Sequence, residues 1–272
     1  MKNITLLLKV KKYSLFLILL LISFSCFHNK NSDTGSFTQT SRHKKQVNNI
    51  TYYFPSSLDT SICQKLIVKC ENAIRSNLKL IGEYSFKDSI DIEFLMSRKE
   101  MLKYTGIGAS GMAFPERKTM FSLANEKEAP IIHELLHMLA MLKWGEPHQT
   151  SIWMNEGLAT FSENNCNNFN VEQIYCYFLS KSMLIPIDSL AANFYGQPEM
   201  IAYHQSAYLV QFLLDNYGIT KFKALWKNGL SNFAEIYGIP PSKVMPLIDE
   251  TAKSHYPKTP NINWEEFKKG CN

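Results

Sequence analysis

The sequence lacks several patterns that would assign it to common functional classes. No two of its six cysteines have Cys-x-x-Cys spacing, which argues against a cysteine-based zinc motif. No stripe of Lys and Arg with interleaved aromatic residues is present, so we expect no nucleic-acid partner. The formal net charge is +5, but four lysines fall within the first 12 residues and the rest of the chain is nearly balanced. We find no internal repeat of the kind that builds a solenoid.

The first 46 residues differ in composition from the rest of the chain. A lysine-rich start precedes an apolar run, residues 13–24, of signal-peptide length and too short for an easy membrane span. Cys26 follows Ser25, which resembles a bacterial lipoprotein signal, although Ser23 stands where Leu is usual. We therefore predict an exported protein of the bacterial envelope, in the periplasm or outer membrane, with an N-terminal lipid tether. Soluble export and an uncleaved anchor are the alternatives. The predicted segments are a signal peptide at 1–25 with Cys26 lipidated, a flexible tether at 26–46 and a single globular domain at 47–272.

Hydrophobic periodicity predicts a mixed α and β first half and a helical second half. Alternating residues predict strands at 50–54 and 90–95, with a third strand at 118–124. A helix is expected over 60–80, ended by Gly82. Beyond Val171 the pattern is almost entirely helical, and the tail is expected to pack back as a short helix. The predicted helices after Val171 cover 171–181, 198–217, 221–230 and 241–252.

Residues 133–137 read His-Glu-Leu-Leu-His, inside a stretch without Pro or Gly. On a helix, His133 and His137 lie one turn apart on the same face, where both imidazoles can bind one metal ion. Glu134 can take a proton from a metal-bound water. A buried helix could also carry these three residues for capping or ion pairing. A catalytic zinc site needs a third protein ligand as well.

Glu156 is the candidate for that third ligand. It follows His137 after 18 residues, within the segment Trp-Met-Asn-Glu-Gly-Leu-Ala-Thr at 153–160. The HExxH motif, this gap and the WxNEGxAT-like segment resemble the gluzincin metallopeptidases, and most closely the aminopeptidase N family and its peptidase MA-like relatives. The resemblance implies one Zn²⁺ per chain, bound by His133, His137 and Glu156, with Glu134 as the general base.

The resemblance also implies an architecture. We expect a zincin-like α+β fold of two lobes, with a small mixed sheet, an edge strand and the HExxH helix, followed by a mostly helical C-terminal lobe. Gly157 should leave room for close helix packing. Asn155 and Thr160 are candidates to orient the ligand histidines, with capping or solvent exposure as the alternative.

A tyrosine at the start of a helix stabilises the oxyanion in the aminopeptidase N family, in a YxKGA-like pattern. Tyr203 matches that tyrosine, but Gln205 and Ser206 replace the Lys-Gly step. The resemblance therefore implies a catalytic role for Tyr203, and His204 and Tyr208 are the competing candidates. A neutral phenol or imidazole aimed at developing charge contributes a few kcal/mol, on the order of 3.

The amino-terminus-binding signature of the aminopeptidase N family, a GxMEN-like segment, is not present as such. A Gly-rich segment, 106–111, precedes the predicted strand at 118–124, which we expect to be the edge strand that pairs with substrate. Because the Met-Glu-Asn step is missing, internal cleavage is favoured over removal of terminal residues.

The sequence thus predicts a zinc-dependent metallopeptidase of the cell envelope that acts on peptide or protein substrates through a Glu-activated, zinc-bound water. Two other functions fit the same motifs. One is a catalytically inert binding lipoprotein with a zincin fold, and the other is a zinc amide hydrolase with a non-peptide substrate. For the cysteines, a Cys166–Cys176 disulfide closing a short loop is one expectation, and free buried thiols are the other.

Overall fold

The structure is a computed structural model, and it describes residues 42–125 and 129–271. The predicted signal peptide and most of the predicted tether lie outside the described residues. Among the described helices, none is both long and apolar enough to cross a bilayer.

A five-stranded mixed sheet forms one side of the domain. The spatial order is β1-β2-β3-β5-β4, with β2, β3 and β5 parallel and with β1 and β4 antiparallel to their neighbours. The three central strands carry alternating or continuous apolar residues, as expected for strands covered by helices. The strands are β1 (Arg42–Val47), β2 (Ile50–Pro55), β3 (Ile90–Leu95), β4 (Gly111–Phe114) and β5 (Thr119–Leu123).

Two strands differ from the expectations. β1 pairs with β2 along its whole length, so residues 42–46, which were predicted to be the end of a flexible tether, belong to the sheet. The strand predicted at 118–124 is present as β5, but it lies between β3 and β4 and is not an edge. The edge strand beside β5 is β4, which begins at the last residue of the Gly-rich segment, because a 3₁₀ turn at Pro115–Arg117 folds the chain back onto β5. Lys118 completes the turn in the left-handed region, at φ 52°.

Helices make up most of the remainder. They are α1 (Thr60–Leu80), α2 (Arg98–Thr105), α3 (Ile131–Trp144), α4 (Ile152–Glu163), α5 (Val171–Ser180), α6 (Ile187–Ala192), α7 (Glu199–Asn228), α8 (Phe233–Tyr237), α9 (Pro241–His255) and α10 (Trp264–Phe267). The expected break between residues 217 and 221 is confirmed, since Gly218 leaves helical geometry inside α7 (φ 78°, ψ 166°). The α+β architecture with a helical second half is likewise confirmed.

The core lies where α3 and α4 pack between the β-sheet and α7. Trp153 on α4 and Trp226 on α7 are both fully buried. Gly157 makes the close approach of α4 to α7 feasible, because a Cβ at this position would lie 2.6 Å from the backbone oxygen of Ser206. The expectation that Gly157 leaves room for helix packing is therefore confirmed.

The C-terminal tail packs back onto the helical lobe, as expected. Phe267 on α10 is buried against Phe178, and Cys271 forms a disulfide with Cys166 in the loop after α4. The expected Cys166–Cys176 disulfide is wrong: Cys176 lies inside α5 and its thiol donates to the backbone oxygen of Ala252. Spacing along the chain favoured a short loop, whereas the fold brings together cysteines 105 residues apart.

We predict that Gly157→Ala lowers the free energy of unfolding by about 1–3 kcal/mol, because the new methyl group must push backbone apart rather than displace a flexible side chain. Thermal denaturation measures this loss. Gly108→Ala is the matched control, because the nearest atom to its Cβ is 3.6 Å away and the substitution is sterically tolerated. Equal melting temperatures for the two variants would contradict the proposed close contact between α4 and α7.

Candidate active site

Helix α3 presents two imidazoles side by side. His133 and His137 are one turn apart, and their ring centroids lie 4.7 Å from each other at an interplanar angle of 84°. The helix can carry these polar groups because its other faces are apolar: Leu135, Leu136 and Leu139 are fully buried. Both histidines thus face α4 from a rigid, buried helix.

Helix α4 brings the carboxylate of Glu156 to these imidazoles. Its Oε2 lies 3.5 Å from Nε2 of His133 and 3.3 Å from Nε2 of His137. In a tetrahedral zinc site with bonds of about 2.0–2.1 Å, neighbouring ligand atoms are about 3.3 Å apart. Both separations from Glu156 are close to this value, and the ligand atoms of all three residues lie within 4.8 Å of one another, so the His₂Glu set is suited to hold one zinc ion.

Asn155 holds one of the imidazoles in place. Its Oδ1 lies 2.8 Å from Nδ1 of His137. Nδ1–H donates this hydrogen bond, so Nε2 is the ring nitrogen that faces Glu156 and can bind a metal once it has lost its proton. Such a partner fixes both the tautomer and the ring orientation of a ligand histidine. Asn155 thus has the orienting contact that the sequence suggested, whereas Thr160 does not: its buried hydroxyl has no hydrogen-bond partner among the described residues.

The site is strongly coupled electrostatically. Burial alone would lower the pKa of His137, but the neighbouring Glu156 carboxylate reverses this effect and raises it to about 9. Burial alone would raise the pKa of Glu156, but the two imidazoles lower it far below its ordinary value. In the metal-free protein near neutral pH, Glu156 is therefore ionised and a proton resides on His137.

Glu134 lies on the same helix, under the edge strand. Burial raises the pKa of Glu134, partly offset by the neighbouring His133 and His137. β4 can pass directly over this carboxylate only because Gly111 has no side chain: a Cβ there would lie 2.7 Å from Cγ of Glu134. The sheet edge and the predicted base are thus in direct contact.

Tyr203 is close to the predicted ligands. Its ring stacks on that of His133 with centroids 6.3 Å apart, and it lines the same cavity as Glu134 and Glu156. Burial, followed by the charge of Glu156, raises the pKa of the Tyr203 phenol, so the phenol stays protonated.

The two alternatives to Tyr203 lie elsewhere. Tyr208 donates to Glu172 and packs against Tyr175, away from the cavity. The ring of His204 is buried beside the tail, where Nδ1 donates to the backbone oxygen of Met200 and Nε2 faces Sγ of Cys271 at 3.6 Å. Neither group lines the cavity that contains Glu134 and Glu156.

Tyr195 is a site residue that sequence reasoning missed. It lies in a 3₁₀ turn, Phe194–Gly196, before α7, and its hydroxyl donates to Oε1 of Glu156 at 2.7 Å. The residue is 69% exposed, so the phenol reaches the buried carboxylate from the mouth of the cavity. No motif marks it, because its position depends on how the turn folds over α4.

A cavity of about 550 Å³ is lined by the three predicted ligands, Glu134, Asn155, Tyr195 and Tyr203. One wall carries the predicted ligands and the two tyrosines. The opposite wall is formed by the edge strand and the segment before it, including Met112 and the half-exposed Ile107. Apolar walls around a few convergent polar groups are typical of substrate sites.

A family model described as the Peptidase MA superfamily matches residues 99–236, which is half of the chain. This chain belongs to the Peptidase MA superfamily. The matched segment contains the edge strand, both HExxH histidines, Glu156, Tyr195 and Tyr203. The match supports a peptidase-type hydrolase of this superfamily. It does not assign the chain to the aminopeptidase N family in particular. A search of curated proteins finds no match.

We predict that zinc affinity rises about tenfold per pH unit from pH 7 to pH 9. His137 has a raised pKa, so it is protonated below about pH 9 and one proton must leave before its Nε2 can bind metal. Competition with a chelator of known affinity measures this slope. An affinity that levels off near pH 6.5, the ordinary value for histidine, would contradict the coupling of His137 to Glu156.

We predict that Tyr195→Phe weakens zinc binding about tenfold or more, because Oε1 of Glu156 loses its hydrogen-bond donor while the ring remains. The same chelator competition measures the loss. Tyr84→Phe is the matched control, since Tyr84 is fully exposed. If both variants bind zinc as the unmodified chain does, Tyr195 does not support Glu156.

Proposed function

We propose that this chain is a zinc-dependent metallopeptidase that hydrolyses peptide bonds in peptide or protein substrates at the bacterial cell envelope. The observation that carries the proposal is the position of Glu156, whose Oε2 lies 3.5 Å from Nε2 of His133 and 3.3 Å from Nε2 of His137. Glu134 lies on α3 together with these two histidines. Membership in the Peptidase MA superfamily supports the class of reaction.

His133, His137 and Glu156 would hold the metal. A zinc ion in this place supplies Lewis acidity toward an attacking water and a scissile carbonyl. Glu134 accepts the proton of the attacking water and returns it to the leaving amine. Its raised pKa suits this role, because the group must bind a proton in one step and release it in the next.

The two tyrosines have different roles in this proposal. Tyr203 faces the cavity with a protonated phenol and stabilises the negative charge that develops on the carbonyl oxygen. Tyr195 already donates to Glu156, so it positions that carboxylate with one oxygen toward the imidazoles and the other toward the phenol.

The substrate enters along the edge of the sheet. β4 pairs with β5 on one side only and lies against Glu134, so its other side can add an extended peptide strand. A strand held along this edge brings successive carbonyls to the site. This arrangement supports cleavage within a chain as well as near its end.

The location of the protein is also part of the proposal. The lysine-rich start, the apolar run at 13–24 and Cys26 support export and attachment through an N-terminal lipid. A lipid anchor followed by a polar tether would hold the peptidase domain near the membrane surface in the periplasm or on the outer membrane.

We predict that Glu134→Gln retains zinc but lowers peptide turnover by at least about 10³-fold, because the amide cannot accept the proton. Peptide-library cleavage followed by mass spectrometry measures turnover, and elemental analysis measures zinc. The protein used must include Arg42 and the residues after it, since β1 is part of the sheet.

Glu156→Ala is the companion variant and should lose zinc itself, because one of three ligands is gone. Cuts made equally by the Glu134→Gln variant would contradict the proposed mechanism. One bound zinc and no cuts by the unmodified chain would favour an inert binding protein or a non-peptide amide substrate.

A further inference from the structure

Three further potential metal ligands meet where the C-terminal tail packs on the helical lobe. They are Cys166 in the loop after α4, His204 on α7 and Cys271 in the tail, and their ligand atoms lie within 4.8 Å of one another. Among the described residues, only this group and the predicted zinc ligands bring three such side chains together at this spacing. The two cysteines form a disulfide, so reduction would convert the group into two thiols and an imidazole.

The imidazole of His204 points an unprotonated nitrogen at the disulfide. Nδ1 donates to the backbone oxygen of Met200 at 2.9 Å, so Nε2 is the nitrogen that carries the lone pair in the neutral ring. Burial lowers the pKa of His204 to about 4, which keeps the ring neutral at pH 7. Nε2 faces Sγ of Cys271 at 3.6 Å, and a disulfide sulfur has no hydrogen to donate. Among the described residues, this lone pair therefore has no donor.

This nitrogen is a second observation that points to a ligand. His204 is 4% exposed, and buried polar groups normally have a partner. A hydrogen bond from Nδ1 to a backbone oxygen fixes the tautomer and orientation of many metal-binding histidines, as the bond to Met200 does here. The 3.6 Å separation also fits a shared ion, because metal–sulfur bonds of about 2.3 Å and metal–nitrogen bonds of about 2.0–2.1 Å place tetrahedral ligand atoms about 3.6 Å apart.

Contacts other than the disulfide also hold this group together. Cys166 begins a closed turn, in which it exchanges two backbone hydrogen bonds of 2.9 and 3.0 Å with Phe169. The tail is held by the ring of Phe267, which is buried, and by Asn167, which donates to the backbone oxygen of Gly270 at 3.1 Å. Reduction would therefore leave both thiols beside the imidazole.

The two sulfur atoms differ in their access to solvent. Cys271 is exposed, whereas Cys166 is buried. A thiolate of a dithiol reductant can thus attack Sγ of Cys271, and the sulfur of Cys166 leaves. The second thiol of the reductant then releases Cys271. The reductant becomes a disulfide, and its two electrons and two protons end on the two cysteine sulfurs.

We propose that Cys166, His204 and Cys271 bind a Zn²⁺ ion of their own after a dithiol has reduced the disulfide. Binding releases the two thiol protons and leaves two thiolates, one imidazole nitrogen and a fourth position for water. Zinc accepts these sulfur and nitrogen ligands, which Mg²⁺ and Ca²⁺ do not favour. The ion would replace the disulfide as the link between the tail and the loop after α4. The proposal does not depend on the peptidase function.

Cobalt(II), a spectroscopic substitute for Zn²⁺, distinguishes this site from the HExxH site. The full chain is reduced with dithiothreitol, separated from it without oxygen and titrated with Co²⁺, beside the same chain left oxidised. We expect one more Co²⁺ per chain in the reduced form, with a thiolate-to-cobalt charge-transfer band in the near ultraviolet. A His₂Glu site has no thiolate and cannot give this band. Added Zn²⁺ should displace the cobalt and remove the band.

Two variants remove one ligand each. Cys271→Ser changes an exposed position, and we expect it to lose the band and to weaken binding of the additional ion at least about 100-fold. His204→Gln should weaken it similarly while both thiols remain, and circular dichroism shows whether this variant is folded. If it is not, Cys271→Ser decides. Cys63→Ser is the matched control, because it removes a thiol outside the group and should retain the band.

Several results would overturn the proposal. They are a disulfide that dithiothreitol does not reduce in the folded chain, equal cobalt content in both forms without a band, and a band that survives in Cys271→Ser or in folded His204→Gln. A band lost in Cys63→Ser would assign the thiolate ligand elsewhere and refute the site. One bound Co²⁺ in both forms would leave the HExxH site standing, so the two metal sites fail independently.

Discussion

The site depends on one buried carboxylate held between two imidazoles. Glu156 could not remain ionised at such burial without positive or hydrogen-bonding partners, because desolvation of an isolated charge is very costly. His133 and His137 provide those partners from α3, and Tyr195 supplies a third from the turn before α7. The same three contacts that make the buried charge tolerable also arrange the donor atoms for a metal. Stability and ligand geometry are therefore set by one set of contacts.

This arrangement requires α4 to approach α7 closely and the edge strand β4 to approach α3 closely, and one glycine makes each approach feasible. Gly157 removes a clash with the backbone of α7, and Gly111 removes a clash between the edge strand and Glu134. Neither glycine is needed for a positive φ angle, so their role is steric. A side chain at either position would push apart two elements that hold active-site residues. The close packing of these elements therefore also fixes the positions of the active-site side chains.

Local patterns in the sequence were sufficient to predict the helix with its two histidines and the central strands of the sheet. The i, i+4 spacing of HExxH predicts two imidazoles on one face, and the alternating residues at 90–95 predict a central strand. Features that depend on long-range packing were not accessible. β1 is polar on most positions and reads as a linker until β2 pairs with it, and Tyr195 gains its role only when its turn lies over Glu156. The pairing of Cys166 with Cys271 depends on where the tail ends up, which no spacing rule encodes.

The C-terminal tail packs beside the active site, where the end of α4 and the start of α7 meet. The ends of α4 and α7 bring Glu163 and Glu199 to the rim of a single cavity, where both side chains are exposed to solvent. Cys271 forms part of the wall of that cavity, and its bond to Cys166 ties this wall to the loop after α4. A covalent bond between residues 105 apart in the chain thus keeps the last described residues packed on the helical lobe beside the active site.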